Sequence, residues 1–136
     1  MDHASSLVHV AHQLTFTADE TAQAKLAFKR MAAEHGVQVN AYQADNGIFH
    51  AREFLQQLQQ QNIRFSGVGA HHQNGIAERA IQTVTSHAQT IMLHAALHWP
   101  EQADVSLWPM ALTYAMYLWN ITPRPETELL PLEIFT

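Results

Sequence analysis

Two carboxylates carry the chemistry that this chain of 136 residues could perform. Asp45 ends an apolar run and is followed by Asn46-Gly47, a turn pair. Glu78 stands 33 positions further on, near the start of a long helical pattern. Two carboxylates brought by separate elements to one edge of a sheet suit a divalent cation. Mg²⁺ takes oxygen ligands and is commonly held by one or two carboxylates, waters and substrate phosphates. Such an ion polarises a phosphoryl group and makes a nucleophile of water or a hydroxyl. Spacing alone leaves a plainer reading open for each residue. Asp45 also reads as a turn or N-cap aspartate, and Glu78 as a first-turn acid favoured by the helix dipole.

The elements that would position this pair follow from the pattern. Ser6 to Leu14 partly alternates and reads as a strand. His9 and His12 then face opposite sides and cannot share an ion. Thr17-Ala18-Asp19-Glu20 is a capping box, with Thr17 as cap and Glu20 reaching back. The helix it opens has an apolar stripe of Ala24, Phe28, Met31 and Ala32, and stops at Gly36. Lys25, Lys29 and Arg30 lie mostly off that stripe, as a solvated face would. Val37 to Ala44 reads as a second strand. A strand–helix–strand run with so long a helix favours a parallel crossover. Sites in such sheets form beyond the carboxyl ends of the strands, where Asp45 stands.

Residues 51–61 read as a short, glutamine-rich helix and Ile63 to Val68 as a short strand. Residues 69–75 form a loop with glycines at both ends, as expected of a segment that closes on substrate. Its His71-His72 pair lacks further ligands at zinc spacing. The long helix runs from Ile76 to Leu97 or Trp99, with Asn74 as N-cap. Ile76, Ala80, Val84, Ala88, Ile91, Met92 and Ala95 make its core stripe; Glu78, Gln82, Thr85 and Gln89 share another face. His94 and His98 are four apart, but no Glu follows the first, as a metalloprotease motif needs. They read as ordinary helix histidines. Pro100 breaks the helix. The next one starts at Ala103 or Asp104 and is apolar nearly all round, which implies burial in the domain or in a subunit interface. It ends at Thr122 to Pro125, and an apolar tail follows that must pack back or meet a partner.

Composition narrows the classes. The length suits one domain, and an apolar share of 47% is enough for a core. There is no cysteine, which excludes disulfides and thiolate zinc sites and fits an intracellular location. The most apolar stretch, Leu107 to Ile121, is too short to span a bilayer, so no membrane partner is expected. A net charge of −5 without a dense basic run argues against a strong autonomous nucleic-acid binder. If DNA is the substrate, phosphate affinity must come from metal ions or other domains.

The ordered set of residues resembles a known family. Ala44-Asp45-Asn46-Gly47, then His72-Gln73-Asn74-Gly75-Ile76-Ala77-Glu78-Arg79, is similar to the integrase catalytic core of copia-type LTR retrotransposon polyproteins. Trp108, Ala111, Tyr117, Leu118, Asn120, Pro123 and the closing Pro131-Leu132-Glu133-Ile134-Phe135 add to the likeness, as does Asp2-His3-Ala4-Ser5. The resemblance covers nearly the whole chain. It implies an RNase H-like α/β fold, a mixed sheet with flanking helices. It also implies metal-dependent polynucleotidyl transfer that joins element DNA ends to target DNA. In such enzymes three carboxylates, Asp, Asp and Glu, hold two Mg²⁺ (or Mn²⁺) ions. Asp45 matches the second and Glu78 the third, as catalytic and metal-ligating residues. The 32 residues between them are slightly fewer than is usual in the family.

Asn46, His72, Asn74, Arg79 and Gln82 are then the expected nucleic-acid contacts. The first carboxylate lies on a strand before the Asp-x-x-Ser segment that Asp2 opens here. The expectation is therefore an N-terminally truncated catalytic domain over 1–136, lacking the first strand and its Asp, with 122–136 as its tail. Asp2 is the one upstream candidate for the missing acid. Implied partners are DNA, a second copy of the chain and other domains of a parent polyprotein, in the nucleus or cytoplasm. The alternatives are a related nuclease or transposase of the same fold, and a catalytically inactive interaction module.

Overall fold

The computed structural model describes residues 1–44, 62–65 and 75–136, with the backbone alone described at 62–65. The expected helix over 51–61 and most of the expected loop over 69–75 lie outside the described residues. The chain divides into two compact units, residues 1–10 with 77–135 and residues 11–76 with Thr136.

In the second unit, helix α1 spans Ala18–Glu34. Thr17 caps it as expected: its backbone is extended, and its Oγ1 accepts a hydrogen bond from the Glu20 N–H at 3.3 Å. The Glu20 carboxylate does reach back, but it accepts from the N–H of Thr15 at 2.8 Å rather than that of the cap residue. The helix ends where the glycine predicts. Gly36 takes φ of +74°, a left-handed conformation that costs glycine little. Strand β1 (Ala41–Ala44) follows and pairs in parallel with β2 (Asn62–Phe65). The register sets Ala41 opposite Asn62 and Ala44 opposite Phe65. Parallel pairing needs a crossover of a dozen or more residues; residues 45–61 provide that length in the sequence.

The expected strand over Ser6 to Leu14 does not form: no residue there joins a ladder. Two causes are visible. Ser6 has φ of +63°, which interrupts an extended run. Val8 also has its backbone partners supplied by a side chain. The Asn120 amide accepts from the Val8 N–H at 2.9 Å and donates to the Val8 carbonyl at 2.8 Å, much as a neighbouring strand would. The Val10 N–H points to the Met116 sulfur at 3.1 Å. The segment is thus tied to a helix, and the parallel partner of β1 is β2, not residues 6–14.

Within the first unit, helix α2 spans Gly75–His98, with residues from Ala77 onward belonging to this unit. A 3₁₀ turn over Val105–Leu107, capped by Asp104, leads into α3 (Trp108–Asn120). Hydrogen bonds from Ser106 hold the Asp104 carboxyl below its usual range. The core is built from small residues: Ala80, Val84 and Ala88 of α2, Ala111 and Ala115 of α3, and Val8. Ile91, Met92, Trp108, Leu112, Met116 and Trp119 pack around it. Most of the expected α2 stripe is therefore real, but Ile76 is 60% exposed.

Within the chain, helix α3 is buried on one side only. Ala111 and Ala115 face inward, while Met110, Tyr114 and Tyr117 are exposed. The tail packs back through a short helix, α4 (Pro131–Phe135), whose Pro131 and Phe135 are buried. Glu133 caps it by accepting from the Leu130 N–H at 2.9 Å. No described helix is long and apolar enough to cross a membrane.

Candidate functional site

The amphipathic register of α2 determines what its first turns can do. Ala80, Val84 and Ala88 recur every fourth residue and are buried, which commits one face to the core. Glu78, Arg79 and Gln82 fall off that face and are all exposed. Glu78 sits in the first turn, where the exposed backbone N–H groups favour negative charge. No hydrogen bond or ion pair engages its carboxylate among the described residues. An exposed carboxylate is a hard oxygen donor and fits a divalent cation. Gln82 lies one turn on from Glu78, and Arg79 adjoins it, so a cationic and an amide donor stand beside the acid.

Asp45 directly follows Ala44, the buried last residue of β1. Asp45, Asn46, His72 and Asn74 themselves lie outside the described residues. The structure therefore places three of the expected site residues, Glu78, Arg79 and Gln82, on one helix. Among the described residues no group of three or more His, Cys, Asp or Glu side chains comes together.

The upstream candidate acid has another task. Asp2 Oδ2 accepts from the Ser5 N–H at 2.7 Å and from the Ser5 hydroxyl at 2.6 Å. The Ser5 oxygen in turn accepts from the Leu7 N–H at 3.2 Å, and the Asp2 N–H donates to the Leu7 carbonyl at 2.8 Å. Asp-x-x-Ser here is a closed turn that fastens residues 2–7, in the manner of aspartates that bond the backbone just ahead of them. Ser5 and Leu7 are buried in it.

Several tail residues singled out by resemblance have structural tasks. Ala111 is in the core, Trp108 packs on it, and Asn120 holds Val8. Sequence reasoning did not find the contacts of Trp119. Its indole N–H donates to the Ser6 carbonyl at 2.9 Å, and the Arg124 guanidinium lies 3.8 Å from its ring centroid. Burial pushes the Arg124 pKa down, against a smaller opposing pull from Glu126. No local spacing announces such a contact.

The chain matches no known family model and no curated protein.

Proposed function

We propose that the chain belongs to an RNase H-like polynucleotidyl transferase, the catalytic core of a retrotransposon integrase. It would act on element ends and target DNA inside the cell. The observation that carries this reading is Glu78: an exposed carboxylate in the first turn of α2, with no partner among the described residues, within the Asn74-Gly75-Ile76-Ala77-Glu78-Arg79 run. The parallel pairing of β1 supports it, because Asp45 then follows the carboxyl end of a parallel strand.

Glu78 and Asp45 would hold Mg²⁺ or Mn²⁺. The ion, when bound, supplies charge for activating a hydroxyl and for stabilising a leaving oxygen. The chain's own part is positioning. Glu78 holds its oxygens at the helix start, and the rigid core face of α2 fixes that start. Arg79 and Gln82 would donate to DNA phosphate oxygens, which orients the strand without reading its sequence. Asn46, His72 and Asn74 would add contacts from the flanking segments. The engagement of Asp2 by Ser5 argues against Asp2 as the first carboxylate.

Mn²⁺ titration with strand transfer on a short branched DNA tests the reading. The expected result is Mn²⁺ binding that is lost in Asp45→Asn and weakened about tenfold or more in Glu78→Gln. Any strand transfer should fall together with Mn²⁺ binding in both variants. Unchanged Mn²⁺ affinity in both variants would sink the proposal.

A second reading, a non-catalytic module that pairs with its own copy, draws on one feature. Met110, Tyr114 and Tyr117 recur at i, i+4 and i+7 on the exposed side of α3. It gains if Tyr114→Lys dissolves an oligomer and no DNA binding is found at low salt.

A further inference from the structure

The C-terminal end of α2 carries an arrangement that the proposed chemistry does not use. His94 and His98, one turn apart, are both exposed, and their rings stack with centroids 4.1 Å apart at an interplanar angle of 24°. Trp99 flanks both, 6.4 Å from the ring of His94 and 5.7 Å from that of His98. We propose that His94 and His98 form a chelating site for a single borderline transition-metal ion of the Zn²⁺, Ni²⁺ or Cu²⁺ class.

Three observations carry this. The first is the tautomer of His98. Its Nδ1 lies 2.9 Å from the His94 carbonyl oxygen. A carbonyl can only accept, so Nδ1 carries the proton and Nε2 presents its lone pair outward. A ring N–H held by a backbone carbonyl is the usual outer support of a metal-bound histidine.

The second is separation. Two imidazole nitrogens at about 2.0–2.1 Å from a tetrahedral ion stand roughly 3.3 Å from each other. Rings stacked with centroids 4.1 Å apart share one side of the helix, and turning the exposed His94 ring about its side-chain torsions brings its nitrogen toward the outward Nε2 of His98. The third is location. The last turn of α2 ends at His98, and the negative end of a helix dipole favours a cation.

Imidazole donors select this class of metal over Mg²⁺, which prefers oxygen. No third His, Cys, Asp or Glu joins the pair among the described residues, so water completes the coordination and the ion exchanges. The site is independent of the reading given to Glu78.

The test is calorimetric titration of the metal-free full chain with Ni²⁺ and, separately, Zn²⁺, with thermal unfolding alongside. Variants are His94→Gln, His98→Gln and the double change; both positions are exposed, so folding should survive. One equivalent of Ni²⁺ or Zn²⁺ should bind the parent chain and raise its unfolding temperature. Each single change should weaken that binding about tenfold or more, and the double change should abolish the thermal shift. His87→Gln, at an exposed histidine elsewhere on α2, should leave Ni²⁺ binding unchanged. The proposal fails if the double variant binds as the parent does, or if the parent binds neither ion.

Discussion

In the unit of residues 1–10 and 77–135, the Asn120 amide holds Val8 across 112 positions of sequence, and the Trp119 indole holds Ser6 across 113. In the unit of residues 11–76, the bonds around the start of α1 join residues three to five positions apart: Glu20 to Thr17, Gln23 to Asp19, Thr15 to Glu20. The first kind of bond exists only once distant segments have met. The second forms with the helix turn itself. The difference teaches where a substitution will be felt. Breaking a long-range tie should loosen every segment that depends on it, whereas breaking a local cap should fray one helix end.

The largest effect should come from Asn120→Ala. Val8 is buried, and both its N–H and its carbonyl would lose their partners. Orphaning two buried backbone groups costs about 2–4 kcal/mol. Urea unfolding should show that loss, and amide exchange should rise throughout α2 and α3 rather than near residue 8 alone. Asn120→Asp sharpens the point. It keeps an acceptor for the Val8 N–H but sets a carboxylate against the Val8 carbonyl, so it should restore only part of the stability. If Asn120→Ala left exchange in α2 unchanged, the unit would not be cooperative as argued.

Overpacking the small-residue core comes next. Ala88 has no exposed surface and lies in the cluster with Val84, Ala111 and Ala115. Ala88→Leu adds three carbons where none fit, for about 1–3 kcal/mol. The same change at Ala96, exposed on the same helix, should be within about 0.5 kcal/mol. Equal losses at the two positions would mean that the alanines of α2 do not pack as described.

These two cases also mark how much could be read from the sequence. The start and end of α1, the extent of α2 and its Ala80–Val84–Ala88 face were legible because each signal lies within a few residues of what it specifies. The strand expected over Ser6 to Leu14 was not, because its backbone is answered by Asn120, whose approach no local pattern encodes. Helix α3 was legible only in part, for a related reason. Its composition is apolar on every side, and only packing shows that the alanine side is the buried one. Of the expected site residues, Glu78 was legible in its first-turn position on α2. Asp2 was half legible: the Asp-x-x-Ser pattern was seen, but its role as a closed turn with Ser5 was not.

A local prediction follows for the other unit. Thr17→Ala removes the acceptor of the Glu20 N–H and should cost about 1 kcal/mol. Exchange should rise over residues 18–21 and stay unchanged in α3. Thr17→Ser, which keeps the oxygen, should recover most of the loss. Spread of the effect into α3 would erase the contrast between the units.

The smallest effect, at Tyr42, tests the local unit by pH. Its ring lies under the Lys25 ammonium, 4.9 Å from nitrogen to centroid, and its buried hydroxyl has no hydrogen-bond partner among the described residues. Burial raises the pKa of this phenol. Folded Tyr42 therefore keeps its proton more firmly than unfolded Tyr42 does. The stabilisation is complete below the unfolded value of about 10 and is lost as pH rises through the higher folded value. Tyr42→Phe keeps the ring, removes a hydroxyl that bonds nothing described, and cannot ionise. At neutral pH it should change stability by no more than about 0.5 kcal/mol. Above about pH 10 the variant should lose less stability than the parent. Unfolding measured from neutral to alkaline pH checks both. Parallel alkaline losses in the two proteins would show that Tyr42 ionises no less readily folded than unfolded, and that its hydroxyl has found a partner or water.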